Sequence, residues 1–241
     1  MAPLLEVCCF NLPSAILASR AGADRIEFCT NFAKNGTTPS LEDVRVLQGQ
    51  ISCPLHVMIR PDASYHRFDV SAAELEDMKE AISRFKKLPH VSGFVFGCLT
   101  PEGKIDEKKT SELVTAAAPL PCTFHRAFDA AHLNDRIEAL EQIISTGCST
   151  LLTSGGSDSA ILGAEMIAQL VEATKNRIII MPGGGVRSSN AERLMQKTGA
   201  QVYHSSCLLG DNREMPSWKE IRRLRRIVHG ELDDSKPDEI E

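Results

Sequence analysis

The sequence lacks the features that mark membrane, secreted and zinc-ribbon proteins. No window holds about 18 consecutive apolar residues, the length that a membrane-spanning helix needs. The start, MAPLLEVCCF, has no basic region followed by an apolar stretch, so we expect no secretory signal. Eight cysteines are present without a single C-x-x-C pair, so paired zinc knuckles are not expected. We therefore expect a cytoplasmic chain whose cysteines are free thiols.

Several catalytic and binding classes are excluded in the same way. No lysine lies in a predicted strand, so a Schiff-base mechanism has no candidate nucleophile. The G-x-S-x-G nucleophile motif is absent. The loop after the first predicted strand, Cys9–Pro13, contains no glycine, so a dinucleotide-binding fingerprint is missing there. No basic patch follows a strand or loop, which argues against nucleic acid as a partner.

Short β-rich runs alternate with segments of helical apolar spacing from one end of the chain to the other. Eight strands and eight helices in strict alternation predict an α/β fold, a (β/α)8 TIM-type barrel in a single domain. The predicted strands are Leu4–Cys9, Arg25–Cys29, Pro54–Arg60, Gly93–Leu99, Cys122–Phe128, Thr150–Ser154, Arg177–Gly183 and Gln201–Ser206. The predicted helices lie near 13–22, 41–50, 72–88, 106–118, 132–146, 159–175, 188–198 and 216–229.

Local signals support these boundaries. Side chains suited to cap helix N-termini precede three of the helices, and glycines suited to a left-handed turn end three others. The capping residues are Ser40, Asp106 and Ser188, and the glycines are Gly22, Gly147 and Gly199.

Composition places one domain over residues 1–230. Apolar residues make up 42% of the chain and charged residues 24%, an ordinary balance for a globular core. The formal charge is −5, and six acidic residues lie among the last eleven. We expect this acidic, proline-containing segment, 231–241, to be a disordered tail.

A Glu-x-Cys pattern occurs on each of the first two predicted strands. In a barrel, polar residues at the carboxyl ends of strands mark the functional face. Glu6 and Cys8 share one side of the first strand, and Glu27 and Cys29 share one side of the second. If both pairs point inward, two thiols converge, and thiolates suit Cu(I). Met58 on the third strand offers a thioether to the same ion.

Two interpretations of this pattern remain open. The cysteines are equally suited to be small core residues, since free cysteine is among the most buried residue types. Glu6 and Glu27 fit a plain core poorly because unpaired carboxylates are rarely buried. We expect Arg60, Arg126 or His125 to pair with them in a buried charge network, which is either structural or catalytic.

A second group of polar residues predicts an anion site. His125 suits acid–base chemistry near neutral pH, Arg126 suits an anion, and Asp129 is placed to orient either one. The loops after strands 7 and 8 of a barrel frequently bind phosphate through backbone N–H groups and hydroxyls. Here those loops carry Gly183, Gly184 and Gly185, followed by Arg187, and then His204, Ser205 and Ser206.

Taken together, nine segments in register resemble the CutC copper homeostasis family over about residues 4–206. They are Leu5–Cys8, Gly22–Cys29, Gly36–Ser40, Val57–Pro61, Gly93–Gly97, Thr123–Asp129, Leu152–Gly155, Met181–Gly185 and His204–Ser206. The resemblance implies a TIM-like barrel, copper binding at Cys8 and Cys29, a cytoplasmic location and a homo-oligomer. Members of the family are also suspected of being enzymes, because the mouth of their barrel is polar.

Three functional hypotheses follow, of which the third is an oligomeric scaffold whose barrel mouth is vestigial. In the first, Cys8 and Cys29 bind Cu(I), and Glu6 and Glu27 surround the site. In the second, the chain is an enzyme acting on a small anionic substrate, including a phosphorylated one. Its acid–base groups would be Glu6, Glu27, His125 and Asp129, and its anion-binding residues would be Arg60, Arg126, Gly183, Gly184, Gly185, His204, Ser205 and Ser206.

Overall fold

A computed structural model describes residues 3–61, 68–132, 134–210 and 214–231. Its strands are β1 (Leu4–Cys9), β2 (Arg25–Phe28), β3 (Leu55–Met58), β4 (Val91–Phe96), β5 (Cys122–Phe124), β6 (Thr150–Thr153), β7 (Ile179–Pro182) and β8 (Val202–Ser205). All the pairings between them are parallel, in the order β7-β6-β5-β4-β3-β2-β1-β8. Because β7 also contacts β8, the sheet curls into a nearly closed (β/α)8 barrel, and the predicted fold is confirmed.

Helices surround the barrel and connect its strands. They are α1 (Leu12–Arg20), α2 (Leu41–Val46), α3 (Ala72–Phe85), α4 (Glu107–Ala117), α5 (Ala127–Ala130), α6 (Arg136–Ser145), α7 (Ala164–Thr174), α8 (Ala191–Thr198) and α9 (Trp218–His229). A 3₁₀ turn, Phe32–Lys34, lies between β2 and α2. No described helix has the length and apolar character that crossing a bilayer requires.

Five of the six predicted capping and turn residues are confirmed. Ser40 caps α2 and Asp106 caps α4 through their side chains. The three turn glycines have positive φ angles, 97° at Gly22, 85° at Gly147 and 64° at Gly199. The prediction for Ser188 is wrong. Helix α8 begins after Asn190, while the amide and hydroxyl of Ser188 donate to the buried carboxylate of Glu220.

The fifth strand is shorter than predicted. It ends at Phe124, and the chain then turns into the short helix α5, whereas the sequence predicts extended backbone through Phe128. The amides of Phe128 and Asp129 donate to the carbonyls of His125 and Arg126. This turn brings the Asp129 carboxylate to the end of β6, where it accepts hydrogen bonds from the amides of Ser154 and Gly156. An extended backbone through Phe128 would not place the carboxylate there.

Strand alternation separates two sets of buried side chains. On β1, Leu5, Val7 and Cys9 belong to the core between strands and helices, whereas Cys8 belongs to a small cluster inside the barrel. Parallel register then aligns Glu6 with Arg25, and Cys8 with Glu27. The inward residues of the first strands are therefore polar or sulfur-containing, as the Glu-x-Cys pattern predicts. Of the predicted acidic tail, residues 232–241 lie outside the described part of the chain.

Candidate functional site

A cleft of about 760 Å³ opens at the carboxyl ends of the strands. Its volume lies within the range of small-molecule sites, roughly 300–1,000 Å³. It brings together most of the predicted site residues: Cys8, Glu27, Arg60, His125, Arg126, Asp129, Gly184, Gly185, His204, Ser205 and Ser206. Of the others, Glu6 and Cys29 have no exposed surface, and Gly183 is buried and does not line the cleft.

Glu6 lies inside the barrel in a network that the sequence did not predict. Its Oε2 accepts a hydrogen bond from Arg25 Nε at 2.5 Å, and its Oε1 lies 2.7 Å from Nδ1 of His204. Burial disfavours its charged form, but the Arg25 guanidinium and the His204 imidazole outweigh burial and hold the pKa of Glu6 well below its usual range. The prediction of Arg60, Arg126 or His125 as its partner is wrong, because neighbouring parallel strands place Arg25 and His204 beside it.

Cys8 and Cys29 meet inside the barrel mouth. Their Sγ atoms are 3.6 Å apart, and both side chains pack with Met58 and Val95 in an apolar cluster. The hydrogen bond to Cys29, together with burial, raises the pKa of Cys8 well above its usual value, and burial raises the pKa of Cys29. Both groups are therefore thiols at neutral pH, and any metal that they bind must displace their protons.

Glu27 connects this thiol pair to the cleft. Its Oε1 accepts a hydrogen bond from the Cys8 thiol at 3.2 Å, while its Oε2 is buried and has no hydrogen-bond partner among the described residues. Burial raises the pKa of Glu27. One donor atom each from Cys8, Glu27 and His204 lies within 4.8 Å of the other two, which is a spacing that a single metal ion can bridge.

His204 is the positively charged member of the group that it forms with Cys8 and Glu27. Burial disfavours the imidazolium, but Glu27, Cys8 and Glu6 together raise the pKa of His204 well above its usual value. A protonated imidazole has no lone pair to offer a metal. His204 therefore becomes a metal ligand only after losing a proton that Glu6 and Glu27 stabilise.

His125 is buried and neutral. Burial, and then the charge of Arg60, lower the pKa of His125 to about 3. Its Nδ1 accepts a hydrogen bond from the amide of Ala127 at 3.3 Å, and its ring packs edge-on against Phe68. Arg60 stacks over the same Phe68 ring and donates to the backbone carbonyl of Lys34 at 3.1 Å. These contacts hold the loop after β2 against the barrel.

Asp129 and Arg126 organise the end of β6. Asp129 accepts hydrogen bonds from the Thr153 hydroxyl, from the amides of Ser154 and Gly156, and from Arg126 Nε at 2.9 Å. Arg126 Nη2 also donates to the Ser154 hydroxyl at 3.0 Å. All four of these donors belong to the chain itself, so the contacts of Asp129 are those of a positioning residue.

The loops after β7 and β8 are joined by Arg187. Its guanidinium donates to the carbonyls of Val186 at 2.7 Å and Leu208 at 3.0 Å, and to the hydroxyls of Ser205 at 3.1 Å and Ser206 at 3.4 Å. Arg187 also lines the cleft. The glycine loop and the serine pair, predicted to bind an anion together, are therefore neighbours in space.

The comparisons with known proteins agree with this geometry. Residues 3–209 match the profile of the CutC family. The chain belongs to the CutC family. Its similar relatives include a human "Copper homeostasis protein cutC homolog", 43% identical over 203 residues that cover 84% of this chain and 72% of the human protein. A CutC family protein of Mesorhizobium japonicum is 40% identical over 220 residues, 91% of this chain and 82% of that relative.

Solved structures extend the comparison to the fold. The crystal structure of CutC from Streptococcus agalactiae has a TM-score of 0.78 and 33% identity, covering 85% of this chain and 98% of that one. Phosphoribosylanthranilate isomerase from Thermotoga maritima has a TM-score of 0.63 at 13% identity, covering 95% of this chain and all of that one. At that identity the likeness shows only that CutC proteins share the TIM-barrel fold.

Sequence reasoning missed Arg25 in this site and did not predict the contacts of His204 and His56. Arg25, the ion-pair partner of Glu6, has the same strand parity as Glu27 and Cys29, and this Arg-x-Glu-x-Cys spacing was the available signal. His204 was assigned to an anion-binding loop, whereas it hydrogen bonds to Glu6. His56 is buried at the same level as Glu27, and its Nδ1 has no hydrogen-bond partner within the described residues. Burial, and then the charge of Arg25, lower the pKa of His56 to about 4.

Proposed function

We propose that this chain handles copper by binding Cu(I) between Cys8 and Cys29 at the mouth of the barrel. The observation that carries the proposal is the approach of the two Sγ atoms to 3.6 Å within an apolar cluster. Two thiolates are soft donors, and the thioether of Met58 in the same cluster is a third. The names of the CutC relatives, copper homeostasis proteins, support the choice of metal.

Cu(I) displaces two thiol protons, and both leave through Glu27: the Cys8 proton directly, and the Cys29 proton by way of Cys8 Sγ, 3.6 Å from the Cys29 sulfur, after Glu27 has released the first proton. As a bond forms between Cys8 Sγ and the ion, the S–H bond breaks. The Cys8 thiol already donates to Glu27 Oε1 at 3.2 Å, so that carboxylate accepts the proton. Glu27 borders the cleft, which leads to solvent. Because both thiols start protonated, we expect the affinity for Cu(I) to increase as the pH rises.

A second set of donor atoms at the barrel mouth suits a harder metal ion than Cu(I). Cys8, Glu27 and His204 provide sulfur, oxygen and nitrogen, a mixture that suits Zn²⁺. That set requires His204 to lose its proton beside two carboxylates, which is unfavourable. The thiol pair avoids this requirement, so we favour Cu(I) at Cys8 and Cys29.

The test is competition for Cu(I) against a chromophoric chelator, under anaerobic and reducing conditions. We expect one tightly bound Cu(I) per chain in the wild type, and its loss in the Cys8→Ser/Cys29→Ser variant. Cys9→Ala is the matched control, because Cys9 is also buried on β1 but packs in the core behind the sheet. Retention of tight binding by the double variant would refute the proposal.

Single variants separate the two donor sets. Binding between the thiols requires Cys29 and tolerates Glu27→Gln. Binding by the mixed set tolerates Cys29→Ser and is lost in Glu27→Gln. A Zn²⁺ affinity that depends on Glu27 but not on Cys29 would therefore assign the site to the harder ion.

A second function, an enzyme acting on a small anionic substrate, is supported by Glu27. It is a buried carboxylate of raised pKa in the wall of a cleft that arginines also line, and one of its oxygens has no hydrogen-bond partner in the part of the chain that the structure describes. These are properties of a general acid or base. Glu6 is less suited because its pKa is low, and His125 because it is neutral with a pKa of about 3. Turnover of an anionic metabolite, followed by NMR and abolished in Glu27→Gln, would establish this function.

We also propose that the chain acts in the cytoplasm as a homo-oligomer. The support is the family membership, together with cysteines that are free thiols throughout the described part of the chain. Light scattering coupled to gel filtration tests the assembly, and microscopy of a tagged chain tests its location.

A further inference from the structure

One side of the cleft, formed by the loops after β5 and β7, carries two guanidinium groups. Arg126 and Arg187 line it, together with the loop residues Gly184 and Gly185. Neither arginine is needed for Cu(I) binding between Cys8 and Cys29. This side of the cleft is therefore free to bind a ligand independently of the thiol pair.

Arg187 carries a positive charge that no carboxylate neutralises in the described part of the chain. All its hydrogen bonds go to neutral acceptors, two backbone carbonyls and the hydroxyls of Ser205 and Ser206. The residue is half-buried, so water solvates the charge only partly. A guanidinium held in this way attracts an anion, and its planar array of donors matches the oxygens of a phosphate.

Arg126 faces the same loop. Its Nε pairs with Asp129 and its Nη2 donates to Ser154, whereas Nη1 makes no hydrogen bond within the described residues. A Cβ atom on Gly184 would lie 3.2 Å from Arg126 Cζ, which shows how closely the guanidinium approaches the glycine loop. Asp158 also lines the cleft, but it is exposed and forms no ion pair with either arginine in the structure as described.

The backbone of the glycine loop offers further donors. Gly184 and Gly185 have φ angles of +99° and +74°, a conformation that side chains other than glycine rarely adopt. Within the described chain, neither amide donates to a protein acceptor, while the neighbouring Gly183 amide does. Backbone amides left free beside a guanidinium in a cleft are the elements of an oxyanion site.

We propose that this side of the cleft binds a phosphate monoester, whose phosphate contacts Arg187, Arg126 and the amides of Gly184 and Gly185. The organic part of the ligand then extends into the cleft, toward Glu27. The site deepens the second function proposed above, and its occupancy is measurable whether or not any turnover occurs.

The test uses the full ¹⁵N-labelled chain without copper, titrated with inorganic phosphate and with glycerol 3-phosphate. We expect saturable shifts of the Gly184 and Gly185 amide signals, with chloride at equal ionic strength giving none. Arg187→Gln should weaken binding roughly tenfold or more, since it removes charge-assisted hydrogen bonds. Arg177→Gln is the control, because Arg177 pairs with Glu141 on the surface.

Arg126→Gln is a second variant in case Arg187→Gln does not fold, since 42% of the Arg126 side chain is exposed. It should weaken binding in the same direction. Absence of saturable shifts at Gly184 and Gly185 would overturn the proposal, as would unchanged affinity in the folded arginine variants. Phosphate binding without turnover would retain this site and reject the catalytic function, so the two failures are distinguishable.

Discussion

The ion pair inside the barrel gives the sharpest prediction for stability. In Arg25→Met, the Glu6 carboxylate loses its guanidinium partner and, among the residues that the structure describes, keeps only His204 within hydrogen-bond distance. The Glu6 side chain has no exposed surface, and that of Arg25 has 11%. Water therefore cannot replace the lost guanidinium. The buried negative charge of Glu6 is then left with too few hydrogen bonds and no full positive charge beside it from Arg25 to offset the cost of its burial.

The expected magnitude follows from this burial. Removing one partner of a buried ion pair destabilises proteins by about 3–5 kcal/mol. For a chain of this size, each kcal/mol lowers the melting temperature by roughly 2–4 °C, so we expect a decrease of roughly 6–20 °C at pH 7. Arg177→Met is the matched control. Its ion pair with Glu141 is equally short, but the two side chains are 41% and 48% exposed, and such pairs contribute about 0–1 kcal/mol.

The assay is thermal unfolding followed by circular dichroism, for both single variants at Arg25 and Glu6 and for their combination. Glu6→Gln/Arg25→Met should be less destabilised than the sum of the single variants, because the unpaired charge is absent. Despite burial, the Arg25 guanidinium and the His204 imidazole hold the pKa of Glu6 well below its usual value of 4.5, so the ion pair stabilises the fold fully above that pH and less as the pH falls below it. The difference in melting temperature between wild type and Arg25→Met should therefore become smaller at acidic pH. An effect of Arg25→Met no larger than that of Arg177→Met, or additive single variants, would refute this reasoning.

Three further predictions concern residues around the cleft and the end of the barrel. Burial and the Arg60 charge lower the pKa of His125 from 6.5 to about 3, so the unfolded state takes up a proton on this imidazole at a higher pH than the folded state does. The stability that His125 contributes should therefore fall by up to about 2 kcal/mol between pH 7 and pH 5. Over this range the melting temperature of His125→Gln should fall less than that of the wild type. Asp129→Asn places an amide where four donors converge, so hydrogen exchange at the Ser154 amide should become faster. Glu220→Gln weakens both hydrogen bonds that Ser188 donates to the Glu220 carboxylate, and it should lower the free energy of unfolding measured in urea by about 1.5–3 kcal/mol. A Glu220→Asp variant that is no more stable than Glu220→Gln would contradict a role for the charge.

Local rules were sufficient for most of the fold. Strand and helix order followed from the apolar periodicity, and the glycine turns followed from the steric freedom of glycine at positive φ. The exception at β5 is instructive, because the run Cys122–Phe128 has the apolar character of a strand. Its last residues turn into α5, where the carboxylate of Asp129 binds the amides at the end of β6, and that partner is distant in sequence.

The candidate site likewise has features that the sequence predicted and others that only the tertiary structure brought together. Parity along a strand indicated that Glu6 and Cys8 share a face, as do Glu27 and Cys29. Parity does not say which neighbouring strand supplies a partner, and the pairing predicted for Glu6 was wrong for that reason. The parallel register aligns it with Arg25 on β2 and with His204 on β8, residues 19 and 198 positions away.

The sequence by itself determined the barrel, the helix caps and turns, and the presence of sulfur and carboxylate side chains at the ends of the strands. These depend on interactions between residues close in the chain or on a simple periodicity. Tertiary structure alone decided which thiols meet at 3.6 Å, which carboxylate is ionised, and which arginine is left without a carboxylate in the described chain. Such properties depend on distance and burial, because electrostatic interactions and pKa values respond to neighbours in space that strand closure brings together.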